Sequence, residues 1–388
     1  MPSRNAITSR VLVTLAEIEA VADAWQELER HCADPLGYFQ SYEWCRGWVK
    51  HFGTGGHRPY VMTLWRGEQL IALWPRMIVE TPGLRRLETL GTPHTQYCGA
   101  LVRRGSAPMA EISRRMTAAA RASGCDVTIS RAVPEGTALA ELLAGKPEVR
   151  GSANAASMLD LSGFGGPEDY VGQLGKLQRR NRNRRRNHLA RLGELGFETV
   201  WPEHPEFEEL VRLCTGMKRR WLAETGRYSV GFSMSGYEDF LAELPGDRRK
   251  LSGACLFVLR AGECPVAIEL GFIRKRHYYA YIGGFDWDLR DLSPGKVQMD
   301  MTVAWLIENG IDAYDLLINE ADYKASWTSR TVAVTTRAQA LSWKGWLYTA
   351  AWLPSLRPAL KRLHGALPAI ADRVTVLMRP AACLLLYV

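Results

Sequence analysis

Two hairpins 195 residues apart constrain this chain more than any other feature. Residues 61–65, a turn at Arg66-Gly67-Glu68 and residues 70–72 are matched by residues 257–260, Ala261-Gly262-Glu263 and residues 265–267. Each copy reads as an apolar strand, a Gly-Glu turn and a second apolar strand. In each, a further strand region leads to a helix-period segment (106–123; 294–309), a glycine (Gly124; Gly310) and a short strand (127–129; 314–318). Solenoid units run only about 20–50 residues, so an offset this long fits a duplicated α/β domain instead. Gly-Glu turns recur by chance, and the shared order of elements is what argues for duplication.

The copies differ where chemistry would sit. In the second, an alternating run over residues 277–282 ends at Gly283-Gly284, followed by Phe285-Asp286 and then Ser293-Pro294-Gly295-Lys296. Serine before a proline at the first helical position predicts a capped helix start, and Gly310 predicts its end. Free N–H groups at a helix start, a glycine permitting close approach and an adjacent lysine suit a ligand phosphate. The first copy offers Gly105-Ser106-Ala107-Pro108 there, without a lysine. After the last strand the second copy continues Asn319-Glu320-Ala321-Asp322-Tyr323-Lys324, and the first only Arg131-Ala132-Val133-Pro134. The C-terminal half is therefore expected to hold the cofactor site, and the N-terminal half to supply a wall or substrate surface.

Length and charge narrow the class. The 388 residues suffice for two domains with full cores. No run reaches the roughly 18 apolar residues of a spanning helix. The polar first ten residues lack the apolar core of a signal peptide. The eight cysteines form no C-x-x-C pair, which points to small apolar roles in a reduced, cytoplasmic setting rather than to a metal centre. Eight basic residues and no acid lie between Lys176 and Arg191, which accounts for the whole formal charge of +8. From Gln178 to His188 there is no apolar side chain, so as a helix this piece would have no face to bury. It is either a solvated basic face or the seat of an anionic partner: tRNA, anionic lipid, an acidic glycan or a cofactor phosphate. It contains no interleaved aromatic residues, which argues against base stacking. The 344–388 tail is basic and amphipathic, interrupted by Pro354, Pro358 and Pro368. It reads as docking on its own domain, with peripheral membrane contact as the alternative.

Taken in order, several motifs resemble the CelD-type branch of the GNAT acetyltransferases, known from bacterial cellulose and exopolysaccharide settings. They are Phe39-Gln40-Ser41 with Trp44; Leu90-Gly91-Thr92-Pro93-His94 with Tyr97; and the arginine-rich stretch before Leu192-Gly193-Glu194-Leu195-Gly196. Gly284-Phe285-Asp286, Ser293-Pro294-Gly295 and Asp322-Tyr323-Lys324 ending in Trp327 complete the set. The arrangement also resembles, more distantly, Fem-type peptidyltransferases, which use paired GNAT-like domains and aminoacyl-tRNA. The resemblance implies an α/β (α+β) fold of two tandem GNAT-like domains, each a mixed central sheet flanked by helices. The expected boundaries are 1–160, 161–343 (with the basic segment 176–191) and a 344–388 tail. It implies acetyl-CoA or another acyl-CoA as donor, no metal, and direct transfer to a nitrogen or oxygen of a sugar- or amino-acid-derived acceptor. Aminoacyl-tRNA-dependent transfer and a non-catalytic scaffold are the rival readings. The loop from Arg290 to Lys296 departs from the usual GNAT pyrophosphate loop in having one glycine and a proline.

Acyl transfer needs a base, donors for the oxyanion and an acid for the leaving thiolate. The absence of a G-x-S-x-G elbow favours direct attack over an acyl-enzyme. The resemblance places Tyr323 near the tyrosine that protonates the thiolate, with Glu320 or Asp322 as base. Lys324 is either a phosphate or oxyanion partner or a solvated lysine. Ser293, Gly295 and Lys296 are the expected cofactor grip; Tyr281 and Gly283 are expected to line the acyl cleft, Tyr281 sharing a strand face with Tyr279. Asp286 either binds acceptor or caps a turn. Glu269, alone in an apolar strand, is either functional or on the exposed side of an edge strand. His94, Gln96 and Tyr97 follow a Gly-Thr-Pro turn and are candidates for acceptor contact.

Overall fold

The computed structural model describes residues 6–32, 34, 36–318, 324 and 326–356. It divides into two compact units, one of Met1–Asn154 with Ala333–Val388 and one of Ala155–Val332.

The first unit opens with β1 (Ile7–Leu12), α1 (Leu15–Glu19), α2 (Ala22–His31) and α3 (Tyr42–Phe52). Local chemistry starts these helices: Thr14 and Glu17 form a reciprocal capping box on α1, and the Ser41 hydroxyl accepts from Trp44 N on α3. Five strands follow: β2 (His57–Pro59), β3 (Val61–Arg66), β4 (Gln69–Trp74), β5 (Arg76–Thr81) and β6 (Leu84–Thr89). The unit continues with β7 (Leu101–Val102), α4 (Met109–Ala122), β8 (Val127–Pro134) and α5 (Ala138–Leu142). One sheet runs β1-β3-β4-β7, while β8, β6, β5 and β2 follow one another in a second. The core packs Trp74, Ile71, Leu64 and Met62 of the sheet against Ile112 and Met116 of α4.

The second unit comprises β9 (Asn154–Asp160), α6 (Pro167–Gln173), α7 (Lys176–Leu189), β10 (Leu195–Val200), α8 (Phe207–Glu224), α9 (Val230–Ser233) and α10 (Tyr237–Ala242). Then come β11 (Gly246–Asp247), β12 (Ser252–Ala261), β13 (Cys264–Arg274), β14 (His277–Phe285), α11 (Pro294–Glu308) and β15 (Ala313–Ile318). Its strand order is β10-β12-β13-β14-β15-β9, antiparallel except for the β14–β15 pair. Beneath α11, Met299, Val303 and Leu306 pack on Phe257, Tyr278 and Tyr314. On the other face α8 lies close against β14, because a side chain at Gly284 would collide with the Cys214 carbonyl.

The final strand, β16 (Arg330–Ala340), returns to the first unit and pairs antiparallel with β8 from Val334–Pro134 to Ala340–Val127. The C-terminal boundary therefore lies about ten residues earlier than the sequence suggested, because residues 333–340 complete the first unit's sheet. The helix Trp343–Leu347 and the π-helix Tyr348–Leu356 that continues it dock there too, with Leu353 buried against Val127, Ile129 and Ala338. No helix among the described residues is long and apolar enough to cross a membrane.

Both hairpins named above form. In each, the ladder slips between the same two positions: Leu64/Trp65 in β3–β4 and Leu259/Arg260 in β12–β13, again 195 residues apart. Each unit also contains a strand–helix–parallel strand unit, β6-α4-β8 and β14-α11-β15. A shared bulge within a shared order of elements is what duplication of one α/β domain would leave.

Candidate active site

The second unit has an opening built into its sheet. β14 and β15 pair in parallel only at His277–Ala313, Tyr278–Tyr314 and Tyr279–Asp315, although β14 runs six residues further, to Phe285. Both strands have a local reason to part. β14 carries one extra residue, Tyr281, against β13, where the register slips between Leu270 and Gly271. In β15, Leu317 adopts a left-handed conformation (φ 63°) and donates its N–H to Asp315 Oδ1 at 2.7 Å. Leucine in that region is strained, and such strain clusters at functional sites. The outcome is a wedge at the C-terminal ends of two parallel strands, with a 3-10 turn (Trp287–Leu292) leading from β14 to the start of α11 at Pro294.

At the start of α11 the sequence reading needs one correction. Ser293 takes a left-handed backbone (φ 58°, ψ 51°), and its hydroxyl makes no cap bond. Its carbonyl instead accepts from the N–H groups of Lys296 and Val297. Pro294 occupies the first turn as expected. Ser293, Gly295 and Lys296 lie together, half-buried, and Lys296 has no carboxylate partner among the described residues. Asp286 acts as a cap: its carboxylate accepts from Asp288 N at 3.0 Å and lies 3.8 Å from Arg220.

Across the sheet, β13 is an interior strand, so Glu269 is not on a sheet edge. It is 7% exposed and accepts hydrogen bonds from Tyr278 Oη (3.1 Å) and Tyr314 Oη (2.9 Å). Burial pushes its pKa up to about 7, against the two tyrosine hydroxyls, which hold it down. Tyr278 reaches it because Gly271 has no side chain; a Cβ there would collide with the Tyr278 ring. Glu269 pairs across the ladder with Gly283, where a side chain would meet open space. Paired positions share a face, so the sheet is left uncovered beside the carboxylate. Tyr279 and Tyr281 turn to the α8 side. Tyr279 is buried against His277, and Tyr281 Oη accepts from Tyr237 Oη at 3.0 Å while its ring packs on Phe272. Burial raises the Tyr281 hydroxyl well above its usual value.

Lys324 is not the solvated or phosphate-facing lysine expected. It is buried, and its ammonium donates to the carbonyls of Leu316 (2.7 Å), Ile318 (3.3 Å) and Leu317 (3.5 Å). It thus serves carbonyls of β15 where that strand leaves β14. Burial lowers its pKa to about 8, with Asp315 opposing. Tyr323, Glu320 and Asp322 lie outside the described residues.

The arginine-rich segment forms α7, of which only Leu189 is buried. One arginine turns inward, however. Arg182 pairs with Asp300 of α11 at 2.9 Å, donates to Tyr170 Oη and lies over the rings of Trp327 (4.4 Å) and Tyr170 (5.2 Å). Burial raises the Asp300 pKa to about 6, with Arg182, Arg185 and Arg186 opposing. Arg179, Arg180, Arg184 and Arg186 remain exposed.

In the first unit, the candidates after the Gly-Thr-Pro turn are packed rather than presented. His94 is 1% exposed, with Nδ1 accepting from Trp48 Nε1 at 3.0 Å. Tyr97 is fully buried against Phe39, and its carbonyl accepts from Gln40 Nε2. Trp44 Nε1 donates to Thr95 Oγ1. The Phe39-Gln40-Ser41 and Leu90–Tyr97 motifs therefore meet in one structural cluster, with Gln96 half-buried beside it. A separate open groove of about 600 Å³, between α4 and α5, is lined by Arg114, Arg121, Glu141 and Lys146 among others and holds no candidate catalytic pair.

Three residues escaped the sequence reading: Lys218, Trp221 and Arg227. The Lys218 ammonium sits 3.8 Å from the centre of the Trp221 ring, and Arg227 Cζ 4.9 Å from it. The available signal was periodicity. Leu210 and Cys214 are core positions of α8, and Lys218 is the next place on that face.

Residues 176–325 match the family described as an acetyltransferase (GNAT) domain. The second unit thus carries a GNAT acetyltransferase domain, an acyltransferase class. No curated protein matches the sequence. Among solved structures, FemX aligns with 11% identity over 88% of this chain and 99% of its own, at a TM-score of 0.56. The C-terminal domain of a protein assigned as a lysylphosphatidylglycerol synthetase from Agrobacterium fabrum aligns with 13% identity over 86% and 96%, at 0.53. At these identities the likeness is one of fold, and it extends over both units.

Proposed function

We propose that the second unit transfers an acyl group from acyl-CoA directly to an amine or hydroxyl of a small sugar- or amino-acid-derived acceptor. The observation that carries this reading is the parting of β14 and β15 in the strand–helix–strand unit that α11 completes. A wedge of unpaired strand edges accommodates the extended thioester arm, whose amides can bond to the freed main-chain groups. The adjoining helix start, with the Gly295 N–H and the Lys296 ammonium, suits the donor's diphosphate. The acceptor's nitrogen or oxygen attacks the thioester carbonyl, the carbon–sulfur bond breaks, and the thiolate leaves with a proton. Glu269, with a pKa about 7, is poised to take the acceptor's proton. Tyr323 is assigned the proton to the thiolate, with Glu320 and Asp322 as alternative bases. The resemblance to the CelD-type branch favours an acceptor from envelope or exopolysaccharide synthesis.

Calorimetric titration with acetyl-CoA tests the reading. Binding in the micromolar range is expected, weakened by Lys296→Ala; a folded protein giving no heat at high micromolar donor removes the proposal.

A second reading is favoured by the exposed arginines of α7 and the fold shared with FemX: aminoacyl transfer from tRNA. It requires tRNA binding that weakens steeply with salt. Changing Arg179, Arg180, Arg184 and Arg186 to glutamate should abolish that binding.

A further inference from the structure

Two positive charges, Lys218 near the far end of α8 and Arg227 just beyond it, lie over one aromatic ring, that of Trp221. Cys214 fixes the helix to the sheet, its Sγ donating to the carbonyls of Ile268 (3.5 Å) and Ile282 (3.6 Å). One turn on, Lys218 is carried past Gly284 toward the end of β14 where the wedge opens. Its ammonium is half-buried against Trp221, and Arg227 lies over the same ring. Among the described residues neither Lys218 nor Arg227 meets a carboxylate. The charged groups among the described residues that act on Lys218 are Arg227 and Lys324, both positive, while the adjacent Cys214 thiol is held neutral by burial. Removing an ammonium from water beside two like charges is unfavourable without a counterion, and its pKa falls to about 8 accordingly. The ring compensates for only part of this.

We infer that Lys218 and Arg227, backed by the Trp221 ring, hold an oxyanion, a carboxylate or phosphate, borne by the acceptor. That the ligand is the acceptor rests on the acyl-transfer reading; the anion site itself does not. Arginine gives the planar fork suited to two oxygens, and Lys218 the point charge on the buried side. Binding restores charge balance around Trp221 and anchors the acceptor beside the wedge with its nucleophile free.

The test is reactivity of Lys218 in the intact protein without donor. At pH 8 its unprotonated amine should react readily with acetic anhydride, followed by peptide mass spectrometry. Millimolar succinate or inorganic phosphate, with ionic strength matched by chloride, should slow this about tenfold by shielding the amine and raising its pKa. The exposed Lys50 and Lys176 should be unaffected, and Arg227→Gln should lose the protection. Stronger protection by succinate marks a carboxylate, and stronger protection by phosphate a phosphorylated acceptor. No slowing by either anion, or equal slowing by uncharged succinamide, overturns the inference. Acetyl-CoA calorimetry on the same sample separates the two ideas. Donor binding without anion protection removes only the anion site. Protection without donor binding removes the acyl-transfer reading and leaves the site.

Discussion

Glu269 is where a single side chain sets the pH response. In the proposed role of base it must be ionised, so kcat/KM should rise with pH through about 7. Glu269→Gln should lower kcat about 10²–10³-fold and abolish that rise while acetyl-CoA binding persists. Stability runs the opposite way. A carboxyl whose pKa is raised by folding binds its proton more tightly in the native state, so stability present at acid pH is lost as pH climbs from about 4.5 to about 7. Roughly 3 kcal/mol is involved. Urea unfolding of Glu269→Gln should show that slope flattened. Gly271→Ala should cost about 1–3 kcal/mol in the same assay, because the new methyl group displaces the Tyr278 ring. Glu269 was legible as a lone acid in an apolar strand, since burial of carboxylates is expensive. Its tyrosine partners were not, because Tyr278 and Tyr314 reach it from two other strands, and nothing local in the sequence says which strands lie beside one another. Lys324 was misread because a lysine satisfied by carbonyls looks, in a sequence, like any surface lysine.

At the level of the element, α7 and α11 show what periodicity can and cannot reveal. Eleven residues without an apolar side chain argued against a buried face, yet Arg182 provides one with a guanidinium in place of a hydrocarbon. Such a stem can pack along rings while its head is paired. Arg182→Met should therefore destabilise the second unit by about 2–4 kcal/mol, since Asp300 is left half-buried without its ion partner. Adding Asp300→Asn should recover part of the loss in thermal unfolding. Gln substitution of the exposed Arg180 and Arg184 should shift stability by no more than about 0.5 kcal/mol. The start of α11 was placed correctly from Ser293-Pro294. Its capping was not, because the hydroxyl's direction depends on a left-handed backbone that composition does not announce.

For the whole molecule, the repeat was the most readable signal, and the slip recurring at Leu64 and Leu259 gives it a structural counterpart. The domain boundary was less readable, because nothing local in residues 330–340 says which sheet that strand joins. Ending the chain at residue 332 should leave acetyl-CoA binding by residues 155–332 intact. It should also drive the first unit into aggregates, observable by size-exclusion chromatography; a monomeric product with a normally folded first unit would contradict the strand assignment. The return of β16 also has a consequence for synthesis. Everything N-terminal to Asn154 emerges from the ribosome with one side of β8 bare, an adhesive ladder of unpaired amides. It stays bare while the entire transferase unit is translated. The first unit is thus sealed only after the second has been made.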